Sequence, residues 1–162
     1  FQEDEEEAII WRGPMITNAL NQFLEITEWG ELDYLIVDMP PGTSDAPLTV
    51  MQILQLNGFV VVTTPQRLAG LDAKRSINMV RKMNIPILWI AENMSGGVFG
   101  TGGGEDLAKE MNAPFLGALS VSATYMDETQ LPSLHDQNIR DEYEALSANA
   151  IKQLEELQTE SN

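Results

Sequence analysis

The stretch Tyr34-Leu35-Ile36-Val37-Asp38-Met39-Pro40-Pro41-Gly42 decides the fold class of this chain. Its unbroken apolar run predicts a short buried strand over residues 34–37, and the aspartate and the two prolines predict a sharp loop directly after it. Residues 59–64 repeat this design and stop at Pro65. Residues 87–91 repeat it again and stop before Glu92. The sequence therefore predicts three buried strands with loop-rich C-terminal ends.

Helical periodicity separates and follows these runs. Apolar residues at spacings of three and four predict helices over residues 14–28, 46–57, 70–83, 105–112 and 138–158, and residues 114–119 predict a fourth strand. Alternating strands and crossover helices favour a parallel sheet, because each right-handed crossover lays its helix against a face of the sheet. We therefore predict an α/β fold, a parallel sheet with helices on both faces. Ligands of such sheets bind beyond the carboxyl ends of the strands.

Composition limits the size and the class of the protein. With 162 residues and 43% hydrophobic content, the chain is predicted to form one domain over residues 1–162, with an acidic, flexible segment at 1–10. The acidic beginning without a methionine predicts a cut through a longer protein. A run of roughly 18 to 20 apolar residues, as a membrane span needs, does not occur. We predict a soluble, cytoplasmic protein.

Charge and cysteine content exclude several kinds of partner. A formal net charge of -16 repels nucleic acid and anionic membranes, so neither is predicted as a partner. The chain has no cysteine and a single histidine, His135, so thiolate and histidine metal sites are excluded within it. Any metal here would be held by oxygen. A catalytic pair of His135 with Asp136 is disfavoured against a plain surface histidine.

Asp38 is the first candidate for chemistry. A carboxylate at the end of a buried strand is costly unless a cation or hydrogen-bond donors hold it, and in P-loop NTPases this is the place of the acidic residue that anchors magnesium. Gly42 has no side chain, so its N–H group can approach a terminal phosphate closely. An aspartate that merely caps the next turn explains the pattern equally well.

Five segments in order resemble the Mrp/ApbC family of P-loop ATPases, which is related to MinD and to the nitrogenase iron protein. They are WRGPM at 11–15, DYLIVDMPPGTSD at 33–45, VVVTTPQ at 60–66, PILWIAENMSGG at 86–97 and FGTGGGEDLA at 99–108. The resemblance implies a MinD-like P-loop NTPase fold. It also implies binding of ATP and Mg²⁺ between two subunits and delivery of iron-sulfur clusters to recipient proteins.

The resemblance also implies roles for individual residues. Asp38 is similar to the Walker B aspartate and metal ligand, and Gly42, Thr43, Ser44 and Asp45 resemble the switch segment that responds to hydrolysis. Asn93, expected just past its strand, resembles the residue whose amide reads the adenine edge. Pro65 and Gln66 are implied to face the nucleotide from a neighbouring loop. An ordinary turn residue is the alternative for Asn93.

Two departures from the family pattern are clear. The phosphate-binding loop G-x-x-x-x-G-K-[ST] is absent, since no Gly-Lys pair occurs in the chain, and we predict that an N-terminal part with a central strand is missing. The paired cysteines that many members place before Phe99 are also absent, which makes an iron-sulfur cluster on this chain doubtful. The glycine-rich stretch 96–104 is interpreted as a flexible loop, or alternatively as a segment that approaches a phosphate or a partner subunit.

Three functional hypotheses follow. The first is the switch and adenine-binding half of an Mg-ATP-dependent iron-sulfur carrier, acting as a homodimer. The second is a short paralogue that does not hydrolyse ATP and pairs with a complete ATPase as a binding or regulatory module. The third, a MinD-like positioning ATPase, is disfavoured because the helix at 138–158 is acidic, whereas membrane-targeting helices are rich in Lys and Arg. Whether the chain is itself an enzyme stays open at this point.

Overall fold

The computed structural model describes residues 13–40, 42–43 and 45–160. The chain divides into two compact units, Phe1–Leu56 and Asn57–Asn162. The acidic segment at 1–10, the pair Trp11 and Arg12, and the loop residues Pro41 and Ser44 lie outside the described residues. The single domain over 1–162 stays a prediction.

The first unit contains two helices that pack on each other, α1 (Gly13–Ile26) and α2 (Asp45–Ile53). Both helices were predicted, although α2 ends four residues before the predicted 57. Pro14 lies in the first turn of α1, where its missing N–H has no intrahelical partner to lose. Val50 and Met51 of α2 are buried. Packing between α1 and α2 supports both helices, because short helices are marginal in isolation.

The predicted buried strand at 34–37 is wrong. Residues 34–40 have no regular structure, and Leu35 and Ile36 are 50% and 92% exposed. A strand is stable only when its backbone N–H and C=O groups pair with a neighbour. The described residues of the first unit contain no strand, so this apolar run has no neighbouring strand in its own unit to pair with.

The second unit is built on a parallel sheet of three strands in the order β1 (Phe59–Thr63), β2 (Ile87–Ser95) and β3 (Phe115–Ser120). Crossover helix α3 (Arg67–Lys82) joins β1 to β2, and α4 (Gly103–Met111) joins β2 to β3. The predicted strands and crossovers are confirmed here. β2 runs four residues further than predicted, which places Glu92 and Asn93 inside the strand.

Helices cover both faces of this sheet, as predicted. On one face Val61 and Ile90 pack against α3 and α4 through Ile77 and Leu107. The other face is covered by α6 (Gln137–Glu160), whose apolar residues pack over a second cluster of Trp89, Ala91 and Leu116. The indole N–H of Trp89 donates a hydrogen bond to Gln153 of α6. Each fully buried aliphatic side chain stabilises the folded state by about 1.5–3 kcal/mol, because its apolar surface is removed from water.

His135 is an exposed residue at the end of the short helix α5 (Pro132–His135), as predicted. Its neighbour Asp136 serves as a helix cap, accepting hydrogen bonds from the N–H groups of Asn138 (3.0 Å) and Ile139 (3.3 Å). The hydroxyl of Thr124 donates a further bond at 2.9 Å. This hydroxyl, followed by the N–H donors, lowers the pKa of Asp136. The carboxylate therefore accepts hydrogen bonds that cap the start of α6.

Among the described helices, none combines the length and the apolar content that crossing a bilayer requires.

Candidate functional site

The carboxyl ends of β1 and β2 lie side by side, because Thr63 of β1 pairs with Glu92 of β2 in the parallel ladder. The side chain of Glu92 is only 1% exposed. Its Oε1 accepts hydrogen bonds from the Ser95 hydroxyl (2.7 Å) and the Gly102 N–H (3.1 Å), and its Oε2 accepts one from the Gly104 N–H (2.6 Å). A buried carboxylate thus holds the glycine-rich stretch and the first turn of α4.

These donors decide the ionisation of Glu92. Burial alone raises the pKa of this carboxyl, but the hydrogen bonds from Gly104, Ser95 and Gly102 together outweigh burial and lower the pKa below its usual value of 4.5. The N-terminus of α4 adds partial positive charge at the same point. Glu92 is therefore a carboxylate at neutral pH.

Acid is expected to destabilise the second unit through this residue. A group with a lowered folded-state pKa stabilises the fold above its unfolded pKa, near 4.5, and this contribution is lost as the pH falls through the folded value. The free energy of unfolding, measured by denaturant titration at a series of pH values, should fall below pH 4.5. Glu92→Gln should flatten that dependence. An unchanged pH profile in this variant would contradict the assignment.

Two glycines allow the close approach around Glu92. A Cβ on Gly104 would lie 2.8 Å from the Cβ of Glu92, and a Cβ on Gly103 would lie 2.4 Å from the carbonyl oxygen of Pro65. Neither distance is possible for a real side chain. The start of α4 therefore packs against the loop that follows β1 on one side and against β2 on the other.

Asn93 lies within β2, directly after Glu92, with its side chain half-buried. Its Oδ1 accepts a hydrogen bond from the N–H of Met94 at 2.9 Å, and Met94 adopts the left-handed backbone region with φ 56°. A carbonyl oxygen has a second lone pair, and the amide NH₂ carries two donors. Asn93 thus has both the donor and the acceptor groups that a base edge requires.

The loop after β1 carries the other two predicted nucleotide residues of this unit. Pro65 is half-buried, and Gln66 is exposed at the position before α3 with no side-chain cap. The hydroxyl of Thr64 is buried without a hydrogen-bond partner among the described residues. Pro65 and Gln66 directly follow β1, and Asn93 lies near the C-terminal end of the neighbouring strand β2, so all three border the same edge of the sheet.

The remaining predicted site residues belong to the first unit. Asp38 lies exposed in the irregular stretch 34–40, not at the end of a buried strand. Gly42 has φ +86°, a conformation that favours glycine, and both Gly42 and Thr43 are exposed. Asp45 is the first residue of α2, and its side chain lies outside the described part of the chain. Their assignment to catalysis and metal binding stays a prediction.

The described residues fit a nucleotide only in part. They contain no group of three or more acidic or histidine side chains placed to hold a metal ion. Mg²⁺ in NTPases usually needs only one or two carboxylates together with phosphates and water, so a single aspartate can be a sufficient protein ligand. A triphosphate, however, needs a cradle of N–H groups and a lysine, and no Gly-Lys pair occurs in the sequence. The N–H groups of Gly102 and Gly104 are already bound to Glu92.

Sequence reasoning missed Glu92. The same rule that singled out Asp38, the cost of a carboxylate at the end of a buried strand, applies equally to Glu92 at the end of residues 87–91. The glycine-rich stretch that follows it was the available signal, because glycine N–H groups approach a carboxylate without steric conflict.

Residues 1–154 match the family model ParA, described as NUBPL iron-transfer P-loop NTPase. The chain belongs to this family. The match to the iron-transfer P-loop NTPases covers both compact units and agrees with the resemblance that the sequence motifs indicated.

Individual relatives of the chain support the same conclusion. An iron-sulfur cluster carrier protein of Methanocaldococcus jannaschii is 41% identical over 94% of this chain and 57% of its own length. The cytosolic Fe-S cluster assembly factor CFD1 of Candida glabrata is 42% identical over 74% of this chain and 47% of its own length. The chain thus spans about half the length of these curated relatives.

A solved structure agrees with the fold. A nucleotide-binding protein of Archaeoglobus fulgidus, in complex with ADP, superposes with a TM-score of 0.61 at 36% identity, over 69% of this chain and 50% of that protein. The α/β assignment is therefore supported by an experimental structure of a nucleotide-binding relative.

Proposed function

We propose that this chain is the switch and adenine-binding half of an Mg-ATP-dependent iron-sulfur cluster carrier. The observation that carries the proposal is the match of residues 1–154 to an iron-transfer P-loop NTPase family, and the 41% identity to a protein named iron-sulfur cluster carrier supports it. The geometry at one edge of the sheet supports the adenine-binding part of the proposal. There Asn93 directly follows Glu92, whose carboxylate binds the glycine-rich stretch, and the loop that contains Pro65 follows the neighbouring strand.

The residues divide into two roles. Asn93 would bind the adenine edge through its amide, with Pro65 and Gln66 bordering the base from the next loop. Asp38 would hold the metal ion through oxygen, and Gly42, Thr43 and Asp45 would form the switch segment that senses the terminal phosphate. The positive φ of Gly42 is consistent with a glycine-dependent turn there.

Residues 1–162 do not supply the phosphate cradle themselves. We propose that it comes from polypeptide outside these residues, either in the same protein or in a partner ATPase chain. In the first case the functional form is a homodimer in the cytoplasm that serves iron-sulfur recipient proteins. In the second case the chain is a short, non-hydrolysing binding or regulatory module. The observation that favours this second candidate is that residues 1–162 contain no Gly-Lys pair.

The cluster itself is the cargo in this proposal, and these residues contain no thiolate to bind it. Residues 1–162, reconstituted anaerobically with iron and sulfide, are therefore expected to show no visible iron-sulfur absorption. The Methanocaldococcus jannaschii carrier treated in parallel provides the comparison. A stable cluster on residues 1–162 would contradict the requirement for outside cysteines.

The intact mass of the protein in its native cells distinguishes the two candidates. A mass well above 18.0 kDa, with a Gly-Lys-Ser/Thr segment in the added sequence, supports the carrier ATPase. A mass of 18.0 kDa supports the partner module. Failure of the natural protein to bind Mg-ATP, alone and with any co-purifying ATPase chain, would overturn both.

A further inference from the structure

We propose that Glu92 is a positioning residue for nucleotide-base recognition: its buried carboxylate fixes Asn93 and the Pro65 loop in the arrangement that distinguishes adenine from guanine. The inference rests on the proposed function, because it assigns Glu92 a task in the nucleotide site proposed above. Glu92 itself is buried and is not proposed to contact the nucleotide.

The first step is the closure of a small ring around Asn93. The hydroxyl of Ser95 donates to Oε1 of Glu92 at 2.7 Å, so the two residues that flank Asn93 and Met94 are joined through their side chains. Within that ring Met94 takes the left-handed φ of 56°, and Asn93 accepts its N–H at 2.9 Å. The orientation of the Asn93 amide therefore depends on a segment that Glu92 closes.

The second step connects Glu92 to the loop after β1. Oε2 of Glu92 accepts the Gly104 N–H at 2.6 Å and so fixes the first turn of α4. Gly103 in that turn packs against the backbone of Pro65 so closely that a Cβ would lie 2.4 Å from its carbonyl oxygen. A displacement of α4 would therefore release Pro65 and Gln66 as well.

The third step is chemical selectivity. An asparagine amide reads adenine by one donated and one accepted hydrogen bond, whereas guanine presents two acceptors on the same edge. The Asn93 carbonyl already accepts the Met94 N–H, which leaves one lone pair with a defined direction. Discrimination between the two bases thus requires the amide to be held in one orientation.

The test measures the ratio of ATP to GTP affinity by equilibrium binding to the full-length protein. Asn93→Ala should lower the ratio by about 10-fold, as the loss of one bidentate base contact predicts. Glu92→Gln should lower it by a similar factor, and the double variant should add little, because both act on one contact. Glu144→Gln, the same change at an exposed residue of α6, should leave the ratio unchanged.

A milder variant and a direct readout separate positioning from unfolding. Ser95→Ala removes one donor and keeps the carboxylate, so it should lower the ratio by about 2- to 3-fold, less than Glu92→Gln. Hydrogen exchange at the Gly102 and Gly104 amides should accelerate in Glu92→Gln, while exchange in the centre of α6 stays as in the wild type. If Glu92→Gln does not fold, the ATP/GTP affinity ratio of Ser95→Ala tests the positioning role of Glu92 in its place.

Each outcome has a defined meaning. A lowered ratio in Asn93→Ala together with an unchanged ratio in Glu92→Gln or Ser95→Ala overturns the positioning role and leaves the proposed function intact. An unchanged ratio in Asn93→Ala overturns the base site on which the inference rests. Absence of ATP binding in the wild type overturns the proposed function itself.

Discussion

Replacing Asp38 with asparagine in the full-length protein is expected to lower steady-state ATP turnover by at least about 100-fold, the loss that follows removal of one key electrostatic group. Asparagine keeps the size of the side chain but removes the negative charge that a hard cation such as Mg²⁺ requires. The measurement is phosphate release at saturating Mg-ATP. Because Asp38 is exposed, the thermal stability should stay close to that of the wild type.

The matched control lies in the same segment. Asp33 is also exposed, and Asp33→Asn makes the identical chemical change five residues earlier. It should retain turnover, since only Asp38 resembles the metal-binding aspartate. Wild-type turnover in Asp38→Asn would exclude this residue as the metal ligand, and equal losses in both variants would point to the charge of the whole segment instead.

The second unit was largely predictable because its signals are local. The apolar runs that became β1, β2 and β3 alternate with amphipathic helices, and this order is sufficient to indicate a parallel sheet. The run at 34–37 has the same composition but forms no strand. Hydrophobicity indicates that a segment tends to be buried, but pairing depends on a neighbour that local sequence does not specify.

The candidate site shows the same division. Pro65 and Asn93 could be assigned to the same edge in advance, because the carboxyl ends of neighbouring parallel strands meet at one edge of a sheet. Glu92 also ends an apolar run, but the sequence does not show which groups hold its carboxylate, since the backbone partners Gly102 and Gly104 lie 10 and 12 residues further along the chain. Only the folded loop brings those N–H groups to the carboxylate. The N–H groups of Gly102 and Gly104 thus bind an internal anion, which neither the flexible-loop interpretation of the glycine-rich stretch nor the alternative of a phosphate-facing segment includes.

Replacing Glu92 with alanine is expected to lower the free energy of unfolding of the second unit by about 3–5 kcal/mol, the usual effect of removing one partner from a buried charged network. The N–H of Gly104, buried in the structure, would lose its acceptor, and a cavity would remain beside the first turn of α4. Since small domains have a total stability of about 5–15 kcal/mol, a large share of it would be lost. Urea unfolding followed by circular dichroism measures the change.

The comparison that tests the cause is Glu92→Gln against Glu92→Ala. Glutamine retains a carbonyl oxygen for one glycine N–H but presents an NH₂ group to the other donors, so it should lose about half of what alanine loses, roughly 2 kcal/mol. Glu144→Ala on the exposed side of α6 should change the stability by less than about 0.5 kcal/mol. Equal losses for glutamine and alanine would mean that the negative charge, not the acceptor geometry, holds the glycine stretch. A loss below about 1 kcal/mol for alanine would show that the loop is held by other contacts, and Glu92 would then have no structural part at this edge of the sheet.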